Sequence, residues 1–242
     1  MHTAINIFLP TYNRVDRLKK FIKSVRDHSS PEHIYFTFLV EEDDKPTRNY
    51  LKYWERKYPD RVCVLINENV QPDGLPHLAK MYNQCYAQTP WKDESIAVSM
   101  FGDDMVVDTE NFDIRMLAKL NECNGWGVVF GDDDYIQHGK MCVHLITSRK
   151  LTEATNRPFM CELFRADAID TVWYMVAKRT GMLHYLPEVH IRHEHNGALP
   201  PAERDGVFQR LRRVVIPFHK RNVMLARHVD YIVEQLDKVE RS

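Results

Sequence analysis

The stretch INIFLPTYNRVDRLKKFIKSV (Ile5–Val25) decides the fold. Ile5–Leu9 is a short apolar run closed by Pro10, the pattern of a buried strand. Leu18, Phe21, Ile22 and Val25 then recur at helical spacing, with Asp16 placed to cap the start. A strand that passes through a polar turn into a helix opens a βα unit, and the chain repeats it. Ile34–Val40 is a second strand, rich in aromatic and β-branched residues, and it runs straight into EEDD (Glu41–Asp44). A helix over Asn49–Lys57, a strand over Val62–Ile66, a helix over His77–Ala87 and a strand over Ser95–Phe101 follow. Strands alternating with helices predict a doubly wound, mostly parallel α/β sheet.

Beyond Phe101 the pattern loosens. Helices are expected over Phe112–Asn121 and Ala168–Arg179, the second with Trp173 and Val176 facing inward and Gly181 as its stop. Strands are expected over Gly127–Phe130, Cys142–Thr147 and Leu186–His193. The tail, from about Glu203 on, reads as two amphipathic helices joined near Pro217. FGDD occurs twice, at Phe101–Asp104 and Phe130–Asp133, but in dissimilar flanks, which argues against an internal repeat.

With 242 residues the chain is long enough for one large α/β domain or two small ones and a sizeable core. Its 33 basic and 34 acidic residues create no global field towards nucleic acid or membrane. The cysteines at 63, 85, 123, 142 and 161 form no CxxC pair, which suits a reducing compartment and roles as small core residues. INIFLP is too short for a signal sequence, and no apolar run approaches the roughly 20 residues of a membrane helix. A soluble cytoplasmic protein is expected.

In open α/β sheets, ligands bind beyond the C-terminal ends of the strands. Here those ends carry PTYNR (Pro10–Arg14), EEDD and the first FGDD. Carboxylates crowded into one crevice need a cation, and oxygen ligands suit Mg²⁺ or Mn²⁺. The chain has neither GxxxxGK[ST] nor GxGxxG after its first strand, which argues against a P-loop or a dinucleotide-binding domain.

PTYNR after the first strand, acids after the second and Asp-Asp after the fourth resemble the family 2 glycosyltransferases of the GT-A fold. GDDMVVDTENFD (Gly102–Asp113), FGDDDYIQHGK (Phe130–Lys140), DTVWYMVAKRTGMLHYLPEVHIRHEHNG (Asp170–Gly197) and Asp205 are similar to a branch common in phages and bacteria. The resemblance implies one GT-A domain over residues 1–205, with a nucleotide-sugar half (1–104) and an acceptor half (105–205), and a helical extension over 206–242. It implies a nucleotide-sugar donor, usually a UDP-sugar, a divalent Mn²⁺ or Mg²⁺, and inverting transfer.

By the same resemblance Pro10, Thr11 and Arg14 hold the nucleotide, and Glu41, or Glu42 in the other register, reads the base. Asp103 and Asp104 form a short DxD motif with Asp104 nearest the metal, and His193 or His195 completes that site. Asp170 takes the place of the general base, with Asp167 as the alternative. Asp132, Asp133 and Trp173 are expected at the sugar or acceptor pocket, the second FGDD as a turn or contact there rather than a second metal site. Met105 stands where the branch has His, and Phe112 where it has Trp, changes that bear on sugar and acceptor preference.

Two other readings compete. A nucleotidyltransferase would carry a Gly-rich loop after its first strand, which PTYNR is not; a non-catalytic nucleotide- or glycan-binding module would keep the site without turnover. The acceptor stays open between glycan, protein and hydroxymethylated phage DNA. The basic tail (Arg204, Arg210, Arg212, Arg213, Lys220, Arg221, Arg227) reads first as a solvated helix face and second as a surface for an anionic acceptor.

Overall fold

The structure, a computed structural model, describes residues 1–69, 71, 73–91, 96–135, 138–166, 168–195, 205–206, 209, 212–213, 216 and 218–240. In chain order the strands are β1 (Ala4–Thr11), β2 (Ile34–Val40), β3 (Val62–Ile66), β4 (Ile96–Met100), β5 (Met105–Val107), β6 (Val128–Asp132), β7 (Leu145–Thr147) and β8 (Leu183–His193). The α-helices are α1 (Val15–Asp27), α2 (Lys45–Lys57), α3 (Leu78–Gln88), α4 (Phe112–Glu122), α5 (Arg149–Ala154), α6 (Ile169–Thr180) and α7 (Phe218–Glu240).

They form one eight-stranded sheet of order β3-β2-β1-β4-β7-β6-β8-β5. The four strands of the first half are parallel, as the sequence predicts. In the second half β7 runs antiparallel to β4 and β6, and β5 antiparallel to β8. Every residue of β1 is buried. Because side chains alternate across a strand, Ile5, Ile7 and Leu9 enter one core layer and Phe8 the other. The first layer is closed by Leu18, Phe21, Ile22 and Val25 of α1, Leu51 of α2 and four residues of α4. The second is closed by α3, α6 and α7, whose Leu225, Val229, Ile232 and Leu236 are buried in it. Each such side chain contributes roughly 1.5–3 kcal/mol. Pro10 is tolerated inside β1 because pairing with β4 stops at Phe8↔Met100, so its missing N–H lies beyond that ladder.

Several elements depart from expectation: α5 has no counterpart in the expected pattern, and β6 runs on through Asp132 instead of ending at Phe130. α2 starts at Lys45 rather than Asn49, because Pro46 sits in the first turn, where a missing N–H is harmless, and the Asp44 carboxylate accepts from Thr47 N at 3.2 Å. β5 was not foreseen: its three residues are too few for a periodic signal, and pairing with β8 alone makes them a strand. Of the two expected tail helices, the second is α7; most of the first lies outside the described residues. Among the described residues no helix is long and apolar enough to cross a membrane.

Candidate active site

Three short segments at the C-terminal ends of β1, β2 and β4 meet α6 and the end of β8 around a cavity of about 830 Å³. Pro10, Thr11, Arg14, Glu41, Asp103, Asp104, Asp170, His193 and His195 all line it. Nine of the twelve expected site residues, drawn from segments far apart in sequence, thus face one space.

At the centre, Arg14 Nη1 donates to Asp103 Oδ1 at 2.9 Å, and Thr11 Oγ1 donates to Asp103 Oδ2 at 2.7 Å. Asp103 is almost fully buried, and burial raises its carboxyl above the ordinary range against the pull of Arg14. Asp104 behaves oppositely. Burial pushes it up, but His193 and Arg14 outweigh burial and hold it low. Asp104 is therefore the more acidic of the two neighbours. Gly102 leaves room for this arrangement, since a Cβ there would lie 2.7 Å from Asp104 Oδ1.

β5 brings His193 to Asp104. Met105 pairs with His193 across the β5–β8 ladder, and Glu194 N donates to the Asp104 carbonyl at 2.8 Å. His193 Nε2 consequently lies 3.4 Å from Asp104 Oδ1. Two ligand atoms at adjacent positions of an octahedral ion, each about 2.1 Å from it, stand about 3 Å apart, so this pair fits a Mg²⁺- or Mn²⁺-sized ion with mixed O/N donors. Burial lowers the His193 pKa, but Asp104 more than offsets this and holds it above its ordinary value. His195 also lines the cavity, its ring 4.9 Å from that of His193 and stacked on Tyr135 at 5.9 Å; burial lowers its pKa.

The EEDD run divides by register. Glu41 lines the cavity and accepts from Asn67 Nδ2 at 2.9 Å, a partner at the end of β3 that no sequence signal marked. Glu42 is exposed and does not line the cavity. Asp44 is not in the crevice: it caps α2 and accepts from Asn13 N at 2.6 Å, pinning the PTYNR turn where Asn13 takes φ 50°.

Asp170 sits in the first turn of α6, after Ala168 in the left-handed conformation (φ 65°). Its Oδ1 accepts from Thr171 N at 2.7 Å. A helix N-terminus alone would lower its pKa. Burial is the larger effect, and the carboxyl is raised. Asp167, the alternative base, lies outside the described residues, as do Arg204 and Arg210 of the basic tail. Of that tail, Arg212 and Arg221 line the cavity, while Arg213, Lys220 and Arg227 are exposed.

Three expected pocket residues are placed elsewhere. Trp173 is buried in the core, its Nε1 donating to the Phe159 carbonyl at 2.8 Å, because the inward face of α6 packs on the sheet rather than on the cavity. Asp132 and Asp133 do not line the cavity either. Asp132 accepts from Tyr185 Oη, Asp134 N and His138 Nδ1, and Asp133 Oδ1 accepts from His138 N. Ligand atoms of Asp132, Asp133 and His138 do lie within 4.8 Å of one another. Both Asp132 oxygens and Asp133 Oδ1 already accept hydrogen bonds that close this segment, and the cluster does not line the cavity. Gly131 is required there, since a Cβ would stand 2.2 Å from the Val189 carbonyl where β6 and β8 slip register.

No family model matches the chain, and no curated protein matches its sequence. Solved structures match its fold, which is that of the GT-A glycosyltransferases. TarS of S. aureus is 14% identical over 90% of this chain, with a TM-score of 0.57; the chain spans 44% of that protein's length. The mannosyltransferase PcManGT from Pyrobaculum calidifontis, solved with GDP-Man and Mn²⁺, is 12% identical over 98% of this chain and 74% of its own, with a TM-score of 0.61. Glucosyl-3-phosphoglycerate synthase from Mycobacterium tuberculosis, solved with Mn²⁺, UDP and phosphoglyceric acid, is 12% identical over 97% of this chain and 78% of its own, with a TM-score of 0.55.

Proposed function

We propose that the chain is a metal-dependent glycosyltransferase that moves a sugar from a nucleotide-sugar, a UDP-sugar, to an acceptor hydroxyl with inversion at the anomeric carbon. One observation carries the reading: Thr11, Arg14, Asp103, Asp104, Asp170 and His193 line a single cavity at the strand ends of a GT-A sheet. Solved relatives of that fold hold UDP-GlcNAc or GDP-Man, which supports a nucleotide-sugar donor.

Asp104 and His193 would hold the Mn²⁺ or Mg²⁺, with His195 beside them, and the ion would supply positive charge against the leaving diphosphate. Arg14 adds fixed positive charge next to it. Glu41, oriented by Asn67, faces the base. Asp170, its carboxyl raised by burial, accepts the acceptor's proton as the oxygen attacks. The bond from the anomeric carbon to the diphosphate oxygen breaks, the bond to the acceptor oxygen forms, and the diphosphate leaves with both electrons.

The test is a panel of nucleotide-sugars with Mn²⁺, scored for slow hydrolysis. Release of UDP from one sugar is the expected result. Pyrophosphate release from a sugar phosphate plus a nucleoside triphosphate would instead mark a nucleotidyltransferase, and tight binding without turnover a binding module.

A further inference from the structure

The cavity has two chemically distinct walls. One is the charged wall described above. The other is built from Met81 of α3, Met100 of β4, Met141, Ile169 and Met175 of α6, and Leu225 of α7. Met141 and Met175 are partly exposed, and Met141 Sδ lies 3.7 Å from the hydroxyl of Thr171, which also reaches Asp170 Oδ1 at 3.3 Å. The apolar wall therefore begins beside the proposed base.

We propose, resting on the glycosyltransferase reading, that the acceptor is an apolar alcohol or phenol whose body lies against this methionine wall and whose hydroxyl reaches Asp170. A sugar or nucleotide pressed onto these six side chains would find no hydrogen-bond partner among them, which weakens binding there. The wall also offers no stacking platform: Tyr82, an aromatic residue on the lining, is buried and its hydroxyl donates to the Phe101 carbonyl at 2.6 Å. Thioether side chains are flexible and polarizable, and they adapt to aryl and alkyl groups of varied shape. The cavity of about 830 Å³ is the space that donor and acceptor would share. In the transfer, the acceptor O–H proton passes to Asp170, the oxygen bonds to the anomeric carbon, and UDP departs.

The full chain is assayed with Mn²⁺ and the donor it hydrolyses, offering 2-naphthol and 1-decanol against maltose and hydroxymethylated duplex DNA. Glycosylated naphthol or decanol is expected in the mass spectrum, with kcat/KM at least about tenfold above the polar acceptors. Met141→Gln and Met175→Gln should raise KM for 2-naphthol more than they lower kcat. Because either variant could misfold, the unsubstituted protein is also labelled at its methionine methyl groups with ¹³C. Added 2-naphthol should shift the Met141 and Met175 resonances, and maltose should leave them in place. Intact UDP release with transfer only to maltose or DNA, or with no naphthyl product, overturns this inference and leaves the parent reading standing. Loss of Mn²⁺-dependent UDP binding altogether would sink both.

Discussion

Arg14 and Asp205 form a two-point ion pair: Nε lies 2.9 Å from Oδ2 and Nη2 lies 2.9 Å from Oδ1. With Nη1 on Asp103, the guanidinium is shared between two carboxylates 102 positions apart (205 minus 103). Burial opposes the charged form of Arg14, and Asp103 with Asp205 more than offsets it. Asp103 is fixed at the end of a core strand, whereas Asp205 is 30% exposed. A diphosphate that needs Arg14 must therefore compete with Asp205. Asp205→Asn is expected to tighten UDP binding by roughly three- to tenfold and to lower the melting temperature. Calorimetric titration with UDP and Mn²⁺ checks it; weaker binding would show that Asp205 positions Arg14 rather than competing for it.

Asp104 and His193 make a second pair with a sharper consequence. Asp104→Ala removes the carboxylate facing His193, and Mn²⁺-dependent UDP affinity should fall by about tenfold or more. Chelation of the metal should reduce the unsubstituted protein to the level of the variant. The comparison is a UDP titration with and without EDTA, and equal affinities in all samples would remove Asp104 from the metal site.

Asp170→Asn should cut transfer by about 10²–10⁴-fold while UDP binding survives. The base works only when deprotonated, and burial raises its carboxyl. Activity should accordingly fall as pH drops through that raised value, not through the ordinary aspartate value of 3.8. Rates of acceptor glycosylation against pH report this directly.

His144 is fully buried, accepts from Gly131 N through Nε2 at 3.0 Å, and is held neutral by burial, its pKa lowered from 6.5 to about 3. The unfolded chain binds a proton there below 6.5 and the folded chain does not. Stability is therefore full above pH 6.5 and declines as pH falls towards about 3, at up to about 1.4 kcal/mol per pH unit. Urea unfolding of His144→Gln across that window should show a shallower slope than the unsubstituted protein.

Gly131→Ala places a Cβ 2.2 Å from a backbone carbonyl that cannot rotate away. A loss of about 2–3 kcal/mol or more is expected, the range of overpacked core sites. Gly206→Ala, with nothing within 4 Å among the described residues, is the control and should be near neutral. Thermal melts of the two variants decide between a required glycine and an incidental one.

Much of the fold was legible because its signals are local. β1 and α1 announce themselves by apolar spacing, and the parallel half of the sheet follows from strands alternating with helices. α2 starts four residues before the expected Asn49 because the Asp44 carboxylate caps it and Pro46 fits its first turn. The acids of EEDD could not be separated by sequence, since neighbouring carboxylates point to different surroundings: Glu41 to the cavity, Asp44 to a helix end.

The two FGDD copies draw the boundary. By itself the sequence determined that each copy stands at the end of a buried strand, because an apolar run followed by Gly and Asp has few other solutions; the first turns after Met100 as expected, whereas β6 carries the second on through Asp132. Tertiary structure alone decided their environments. The three-residue β5 pairs with β8 and carries His193 to Asp104, so the first copy faces the cavity. The slip between β6 and β8 folds the second copy onto Tyr185 and His138, away from it. Both outcomes rest on contacts between residues more than fifty positions apart in the strand pairings, which no local pattern encodes.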